Sequence, residues 1–248
     1  MHLAVLADIH GNWRAVDAVL ADITRRGVDR IINLGDSLYG PFDPAHVADR
    51  LLAAGWPTVS GNEDRCLVEA ADGAPASRVA RFTLDRLDTE HIAWLRALPQ
   101  TQTIDRIAFA FHGSPTNDAR YLLHEPQQDG SMRPREPKEI AADLRGIDAS
   151  LILCAHDHIP RVVELRDGRT VINPGSVGCP AYTDDQPILH RVENGSPHAR
   201  YAVVGPIADS PMHIELFSIP YDWDAAAVEA EAHGFAEWEM WLRTGCVR

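Results

Sequence analysis

Five short apolar runs, spread from residue 3 to residue 154, are each followed by side chains that can bind a metal ion. The runs are typical of buried strands. They are Leu3-Ala4-Val5-Leu6, Ile31-Ile32-Asn33-Leu34, Thr58-Val59, Ile107-Ala108-Phe109-Ala110-Phe111 and Leu151-Ile152-Leu153-Cys154. Because the carboxyl ends of strands in an open α/β sheet line one crevice, side chains that follow different strands can meet there. The pattern therefore predicts an α/β fold with one site assembled from distant parts of the chain.

The polar side chains after these runs form one candidate ligand set. It consists of two aspartates, one asparagine and four histidines: Asp8, His10, Asp36, Asn62, His112, His156 and His158. Carboxylates combined with imidazoles suit Mn, Fe, Zn, Co or Ni better than Ca or Mg. A single histidine after a strand is more often an ordinary core or surface residue, so the prediction depends on the whole set.

The order of these motifs resembles the calcineurin-like metallophosphoesterase superfamily, and within it the small bacterial and archaeal phosphodiesterases. The motifs are Asp8-Ile9-His10-Gly11-Asn12, Gly35-Asp36, Gly61-Asn62-Glu63-Asp64, His112-Gly113, Ala155-His156-Asp157-His158 and Asn173-Pro174-Gly175-Ser176. The resemblance runs from Asp8 to Gly178, about two thirds of the chain. It implies a four-layer α-β-β-α sandwich of two mixed sheets flanked by helices.

The resemblance also implies a pair of divalent transition metal ions in each chain. Manganese is the first choice, and iron, zinc, nickel or cobalt are alternatives. By analogy, Asp36 bridges the two ions. The other ligands are Asp8, His10 and His158 at one ion, and Asn62, His112 and His156 at the other. Two such ions can clamp the attacking and leaving oxygens of an in-line displacement, and a bridging water that loses its proton becomes the nucleophile.

The expected function is therefore hydrolysis of a small phosphorylated substrate by a phosphodiesterase or phosphatase. The catalytic residues would be Asp36, Asn62 and Glu63. A non-catalytic metal-bound scaffold or regulatory binding protein of the same fold is the alternative, although a scaffold need not retain a complete ligand set. The segment Asn173–Ser176 would lie beside the metals or form only a turn, and Asn12 would be a helix cap or a support for the ligands.

Two departures from the family pattern bear on the chemistry. Larger members carry a histidine where Glu63 stands, and that histidine helps to protonate the leaving group. A solvent-accessible Glu63 would be ionised at neutral pH and would not donate a proton. It would instead orient Asn62 or contribute charge at a helix start. Protein phosphatases of the superfamily have Asp-Arg-Gly after the glycine, whereas Asp36 is followed by Ser37 and Leu38. This difference disfavours a phosphoprotein phosphatase.

Composition limits the partners and the compartment. The chain has 248 residues, 45% of them hydrophobic, and a net charge of -13. An acidic protein is poorly suited to nucleic acid or anionic membranes, but bound cations would still allow a small phosphorylated substrate. The 4 cysteines contain no CxxC pair, and the chain shows no signal peptide and no apolar run of spanning length. A cytoplasmic protein without a membrane partner is expected.

We expect one domain over residues 1–248, with residues 223–248 as a C-terminal helical extension. The extension would cap a sheet edge within the chain or, alternatively, form a dimer contact. Residues 117–137 are polar and rich in proline, glycine and glutamine, which predicts a long loop. A strand is expected at residues 56–60, and a hairpin turn at Arg166-Asp167-Gly168-Arg169.

Overall fold

The computed structural model describes residues 2–105, 108–205 and 212–247. The helices are α1 (Trp13–Arg26), α2 (Pro44–Ala54), α3 (Asn62–Ala71), α4 (Arg78–Leu84), α5 (Thr89–Ala97), α6 (Pro137–Asp143), α7 (Trp223–Ala232) and α8 (Ala236–Thr244). The strands are β1 (Leu3–Leu6), β2 (Arg30–Asn33), β3 (Thr101–Ile104), β4 (Ala108–Phe111), β5 (His124–Pro126), β6 (Met132–Pro134), β7 (Leu151–Leu153), β8 (Arg161–Glu164), β9 (Thr170–Asn173), β10 (Ala181–Asp184), β11 (His190–Glu193), β12 (Ala199–Gly205) and β13 (His213–Ile219).

The first helices begin and end where the sequence provides caps. The Asn12 side chain accepts a hydrogen bond from Ala15 N at 3.2 Å, and α1 ends at Gly27 in the left-handed region. Pro44 opens α2, which ends at Gly55, also left-handed. Proline at the first position and glycine after the last are favourable because one lacks the unneeded N–H and the other lacks a Cβ.

Two mixed sheets carry the site. The first has the order β13-β12-β1-β2, with β1 and β2 parallel and β12 antiparallel to β1. The second has the order β3-β4-β7-β9-β8, in which β4, β7 and β9 are parallel and the outer strands antiparallel. The parallel strands therefore end on a common side, as the sequence pattern requires.

Three apolar clusters build the predicted four layers. Residues of both sheets, including Val5 and Leu153, pack against each other between the sheets. The other face of the first sheet packs on α1, α2, α3 and α5 through residues such as Leu6 and Val16. The other face of the second sheet packs on α6 through Ile140. This is the predicted α-β-β-α sandwich.

Some local predictions need correction. Residues 56–60 form a single bridge between Asn33 and Thr58 and no strand, and Pro57 lacks the N–H that a ladder needs. The segment 117–137 contains the hairpin of β5 and β6, and β10 and β11 were not predicted. The predicted hairpin at 166–169 joins β8 and β9. Ile107, placed in a strand by the sequence pattern, lies outside the described residues.

The C-terminal helices pack on parts of the chain near the ends of the strands. Their buried residues, among them Trp238 and Phe235, form a cluster with Phe42 and Cys179. Gly195 N donates a hydrogen bond to Gly245 O at 2.9 Å, which ties the end of α8 to the segment after β11. Helix α8 also contacts β10, an edge strand of the small sheet of β10 and β11, and the expected dimer contact stays an untested alternative. None of the helices in the described ranges is long and apolar enough to cross a membrane.

The two sheets are joined at the loop that follows β9. Val177 N donates to Ala7 O at 2.9 Å, and Gly178 N donates to Asp8 O at 2.9 Å. A Cβ on Gly178 would lie 1.8 Å from Ile9 O. Glycine at position 178 therefore allows the loops of the two sheets to approach closely enough to share one site.

We expect Gly178→Ala to lower the free energy of unfolding by about 3 kcal/mol or more, because overpacking typically costs 1–3 kcal/mol and the clash here is with backbone. Gly55→Ala is the matched control. A Cβ there meets nothing within 4 Å, so only the left-handed backbone at φ 62° costs energy, about 1–2 kcal/mol. Urea denaturation measures both, and an equal or smaller loss in Gly178→Ala would contradict the close approach.

Candidate metal centre

The backbone is unusual at the predicted ligands. Outside glycine, the described residues with positive φ are Asp8 (54°), His10 (51°), Asp36 (53°), His156 (74°), His158 (56°) and Asp105 (49°). All but Asp105 belong to the candidate ligand set. Left-handed backbone is unfavourable for residues with a Cβ and persists only where the surroundings enforce it. Such strain concentrates at functional sites, and here it turns the chain sharply at the ends of the strands.

Backbone hydrogen bonds connect the ligand loops to one another. Asp8 N donates to Gly35 O and His10 N donates to Asp36 O, both at 3.0 Å. In the second sheet, Ala155 N donates to His112 O at 2.7 Å. The ladder of each sheet thus continues into its ligand loops, which fixes their backbone relative to the strands.

The side chains converge as the sequence predicts. His10 Nε2 lies 3.3 Å from His158 Nε2, and His112 Nε2 lies 3.2 Å from Asp36 Oδ2. His158 Nε2 is 3.5 Å from Asp8 Oδ1. Two groups of candidate ligand atoms, each within 4.8 Å of one another, share Asp36: one contains Asp8 and His10, and the other contains His112 and His156. Asn62 lines a cavity together with His10, Asp36, His156 and His158.

Several ligand atoms in this cluster are buried without a hydrogen-bond partner. They are Asp8 Oδ1, Asp8 Oδ2, Asn62 Oδ1 and His112 Nε2. Buried polar atoms are almost always paired, since leaving one unpaired costs free energy. A cation would satisfy the lone pairs of the carboxylate, the amide oxygen and a neutral imidazole together. The residues present therefore fit divalent metal ions.

Three of the imidazoles are oriented by carbonyl groups behind them. His10 Nδ1 lies 2.8 Å from Tyr39 O, His112 Nδ1 lies 2.8 Å from Leu34 O, and His158 Nδ1 lies 2.7 Å from Cys179 O. Because a carbonyl oxygen only accepts, each Nδ1 carries the proton and donates it. When the ring is neutral, Nε2 therefore presents its lone pair to the site, which is the arrangement that metal-binding histidines use.

Burial and charge adjust the protonation of the ligands. Burial lowers the pKa of His10, that of His158 well below its usual value, and that of His156 to about 4, so these rings are neutral near pH 7. For His112 burial acts in the same direction, but Asp36, the charge of Asp8 and the carbonyl of Leu34 together outweigh it and raise the pKa to about 10. Burial would raise the pKa of Asp36, and His112 instead keeps it below its usual range.

Asp64 positions the shared aspartate, a role that sequence reasoning missed. Its Oδ2 accepts hydrogen bonds from Asp36 N at 2.8 Å and from Gly61 N at 3.0 Å, and its Oδ1 accepts from Ser37 N at 2.9 Å. Burial first, and the charge of Asp36 second, raise the pKa of Asp64 to about 6. The signal in the sequence was its place in the first turn of α3, where a carboxylate can bind free backbone N–H groups.

Asp157 has a similar role at the histidine pair. Its Oδ1 accepts from Asn173 Nδ2 at 2.7 Å and from Ile159 N at 3.0 Å, while Oδ2 lies 2.9 Å from His124 Nδ1. No motif in the sequence indicates a role for His124. These bonds tie the loop that bears His156 to the end of β9.

The structure shows where the turn 173–176 and Asn12 lie relative to the candidate ligands. The Ser176 hydroxyl donates to Asp8 O at 2.8 Å, so the turn 173–176 contacts the ligand loop after β1. Asn12 caps α1, as expected, and its Nδ2 also donates to Gly178 O at 3.1 Å, in the loop that contacts Asp8.

A cavity of about 280 Å³ opens onto the candidate ligands. It is lined by His10, Asp36, Tyr39, Asn62, Glu63, Val79, His156, His158, Cys179, Tyr182, Thr183, Asp184, Glu237, Trp238 and Trp241. The ring of Trp238, in α8, meets the ring of His10 edge to face at 5.9 Å. The C-terminal extension therefore forms one wall of the cavity, which the sequence did not predict.

Glu63 is half-buried in this cavity, so the expectation of a solvent-accessible carboxylate is wrong. Burial first, and then the charges of Asp36 and Asp64, raise the pKa of Glu63 to about 8. Its backbone N donates to Asp36 Oδ1 at 2.8 Å, so this residue also orients the shared aspartate through the main chain.

We expect Asp64→Asn to lower the free energy of unfolding by about 1–3 kcal/mol, because the amide cannot accept all three backbone hydrogen bonds and leaves a buried N–H unpaired. Asp72→Asn, at the other end of α3, is the control. Asp72 forms an exposed pair with Arg96 at 2.9 Å, and such pairs contribute about 1 kcal/mol or less. Equal denaturation midpoints for Asp64→Asn and the unmodified chain would refute the positioning role.

Comparison with known proteins agrees with this geometry. The Methanocaldococcus jannaschii protein MJ0912, described as uncharacterized, is 25% identical over an alignment of 261 positions. The alignment covers 95% of this chain and 94% of that protein. The crystal structure of a metallophosphoesterase from Sphaerobacter thermophilus superposes with a TM-score of 0.76 at 25% identity, covering 99% of this chain and 100% of that one. Residues 1–195 match the calcineurin-like phosphoesterase superfamily domain, and the chain therefore belongs to that superfamily.

Proposed function

We propose that the protein is a dinuclear-metal phosphoesterase that hydrolyses a small phosphorylated substrate and prefers phosphodiesters to phosphoproteins. The observation that carries this proposal is the sharing of Asp36 between two clusters of buried ligand atoms. A single ordinary metal site uses about four protein ligands, whereas this cluster offers Asp8, His10, Asp36, Asn62, His112, His156 and His158. The strained backbone at five of these residues supports the same conclusion.

The proposed assignment follows the two clusters. Asp36 would contact both ions, with Asp8, His10 and His158 at one of them. Asn62, His112 and His156 would complete the other. Manganese is the metal we favour, and iron, zinc, nickel and cobalt suit the same mixture of carboxylate and imidazole.

When bound, the two cations would neutralise the phosphate and make a water molecule acidic enough to attack phosphorus in line with the leaving oxygen. The chain's own contribution is positioning. Asp64 and Glu63 N fix the carboxylate of Asp36, and carbonyl oxygens fix three of the imidazoles. Preorganised groups of this kind need little rearrangement during the reaction.

The cavity supports a small substrate. Its volume of about 280 Å³ is near the lower limit of typical small-molecule pockets. No arginine or lysine is among the residues that line it, in agreement with the absence of the phosphate-binding arginine of protein phosphatases. The net charge of -13 disfavours nucleic acid as a substrate.

Two further proposals concern the chain as a whole. We place the protein in the cytoplasm because Cys66, Cys154, Cys179 and Cys246 are all free thiols, which a reducing compartment maintains. We also propose that residues 1–248 act as one domain, since α8 in the extension supplies the wall of the cavity.

Metal-loaded protein should contain about two transition metal ions per chain and hydrolyse bis(p-nitrophenyl) phosphate faster than a phosphopeptide. We expect Asp36→Ala to lose tight binding of both ions, together with the activity, because its carboxylate belongs to both clusters. Elemental analysis after dialysis measures the metal content, and release of p-nitrophenol measures turnover.

Full metal stoichiometry in Asp36→Ala would exclude the bridging role. A metal-loaded chain without turnover of any phosphoester would favour the alternative, a non-catalytic metal-bound scaffold. Faster hydrolysis of the phosphopeptide would contradict the proposed substrate preference.

We expect Glu63→Gln to retain aryl-ester turnover within roughly tenfold, because removing a general acid typically costs 10²–10⁴-fold. Bound divalent cations would favour the ionised form of Glu63 against the effect of burial, so a proton from this residue is not expected. The rate should then fall steeply as the pKa of the leaving group rises. A flat dependence, with a loss of several hundredfold in Glu63→Gln for poor leaving groups only, would identify Glu63 as the proton donor.

A further inference from the structure

The cavity beside the metal centre has an uneven composition. Its lining includes the aromatic rings of Tyr39, Trp238 and Trp241. It also includes two carboxylates that the metal assignment leaves unused, those of the half-buried Asp184 and the exposed Glu237. With no arginine or lysine in the lining, nothing in the described cavity balances their charge.

These two carboxylates have no ion pair among the described residues, although nearby carboxylates do. Arg243 of α8 forms ion pairs with Asp224 and Glu239. Glu237 forms no ion pair with any described residue. Asp184 accepts a hydrogen bond from Gln186 N at 2.9 Å, a neutral donor. Two anionic groups without a cation at a cavity mouth attract a positively charged ligand.

The aromatic rings lead outward from the metal centre. Trp238 contacts His10 at 5.9 Å between ring centroids, and Trp241 lies 5.5 Å from Trp238. Trp241 is half-buried and lines the cavity. Tryptophan is the best of the aromatic side chains at binding cations on its ring face, and it recognises quaternary ammonium groups in particular.

We propose that the cavity binds a phosphoester of an amino alcohol, with its phosphate at the metal centre and its ammonium group between Trp241, Asp184 and Glu237. This inference rests on the proposed function, because the phosphate must lie at the metals. The buried ligands and the more exposed carboxylates line one cavity of about 280 Å³, a volume that suits an ammonium group two carbons from the ester oxygen.

A nucleotide is the competing ligand for an aromatic cavity. Its base would stack on tryptophan, but a neutral base leaves the charges of Asp184 and Glu237 unbalanced. Nucleotides with further phosphates would be repelled by the same carboxylates. The uncompensated charge therefore favours the ammonium group.

Calorimetry on the metal-loaded protein tests the charge directly. Phosphocholine and 3,3-dimethylbutyl phosphate have the same shape and differ in one atom, a cationic nitrogen in place of carbon. We expect phosphocholine to bind at least tenfold more tightly. Equal affinity, or tighter binding of adenosine monophosphate than of phosphocholine, overturns the proposal.

Variants locate the effect. Asp184→Asn, Glu237→Gln and Trp241→Leu should each lower the ratio of the two affinities about three- to tenfold. The control is Asp185→Asn, because Asp185 is exposed and does not line the cavity, so the ratio should be unchanged. If Trp241→Leu fails to fold, the affinity ratios of Asp184→Asn and Glu237→Gln decide whether the ammonium site is correct. A ratio that all three leave unchanged places the ammonium group elsewhere and refutes the site.

Two further arms complete the test. Glycerophosphocholine should also bind, since it is a small soluble source of the same group. If the protein sediments with phosphatidylcholine vesicles but does not bind glycerophosphocholine, the assignment to a soluble ester is overturned. Hydrolysis of bis(p-nitrophenyl) phosphate is measured on the same sample. If no hydrolysis occurs, the proposed phosphoesterase activity is contradicted. The ratio of the affinities for phosphocholine and 3,3-dimethylbutyl phosphate still tests the preference for an ammonium group.

Discussion

The hydrogen bonds of the Asp64 carboxylate hold together the part of the structure on which the site depends. They fix the backbone on both sides of Asp36 and at Gly61, so the loop after β2 and the start of α3 are held as one unit. A carboxylate is required there because all of its partners are N–H donors. Asp36 can therefore remain between two ligand clusters, where its carboxylate contacts Glu63 N and His112 Nε2.

The site is unfavourable for the chain alone. Ligand atoms of Asp8, Asn62 and His112 are buried without hydrogen bonds, and five ligands have left-handed backbone. The packed sheets around them, with fully buried residues such as Val5, Leu153 and Ile172, supply the stability that allows this arrangement. Bound cations would remove the unpaired polar atoms and would stabilise the folded state.

The convergence of most candidate ligands could be predicted because they closely follow strands, so the local pattern and the sheet topology bring them together, whereas Asn62 opens α3 after a single bridge at Thr58. Asp36 lies three residues after the end of β2, and Asn62 and Asp64 lie in the first turn of α3, so short stretches of sequence fix their positions. By contrast, the contact of Trp238 with His10 joins residues more than 200 positions apart, and no local pattern specifies such a pairing. Glu63 lines the same cavity as Trp238 and Trp241 of α8, and no local pattern around Glu63 indicates that cavity.

On the proposed function, the charges of the cavity would make metal loading a condition for substrate binding. Without cations, Asp36 shares the cavity with Asp184 and Glu237, and a phosphate would be repelled. Divalent cations at the candidate ligands would supply positive charge there, while Asp184 and Glu237 would still supply negative charge elsewhere in the same lining. A substrate that carries both a phosphate and an ammonium group would then find a partner of opposite charge for each group.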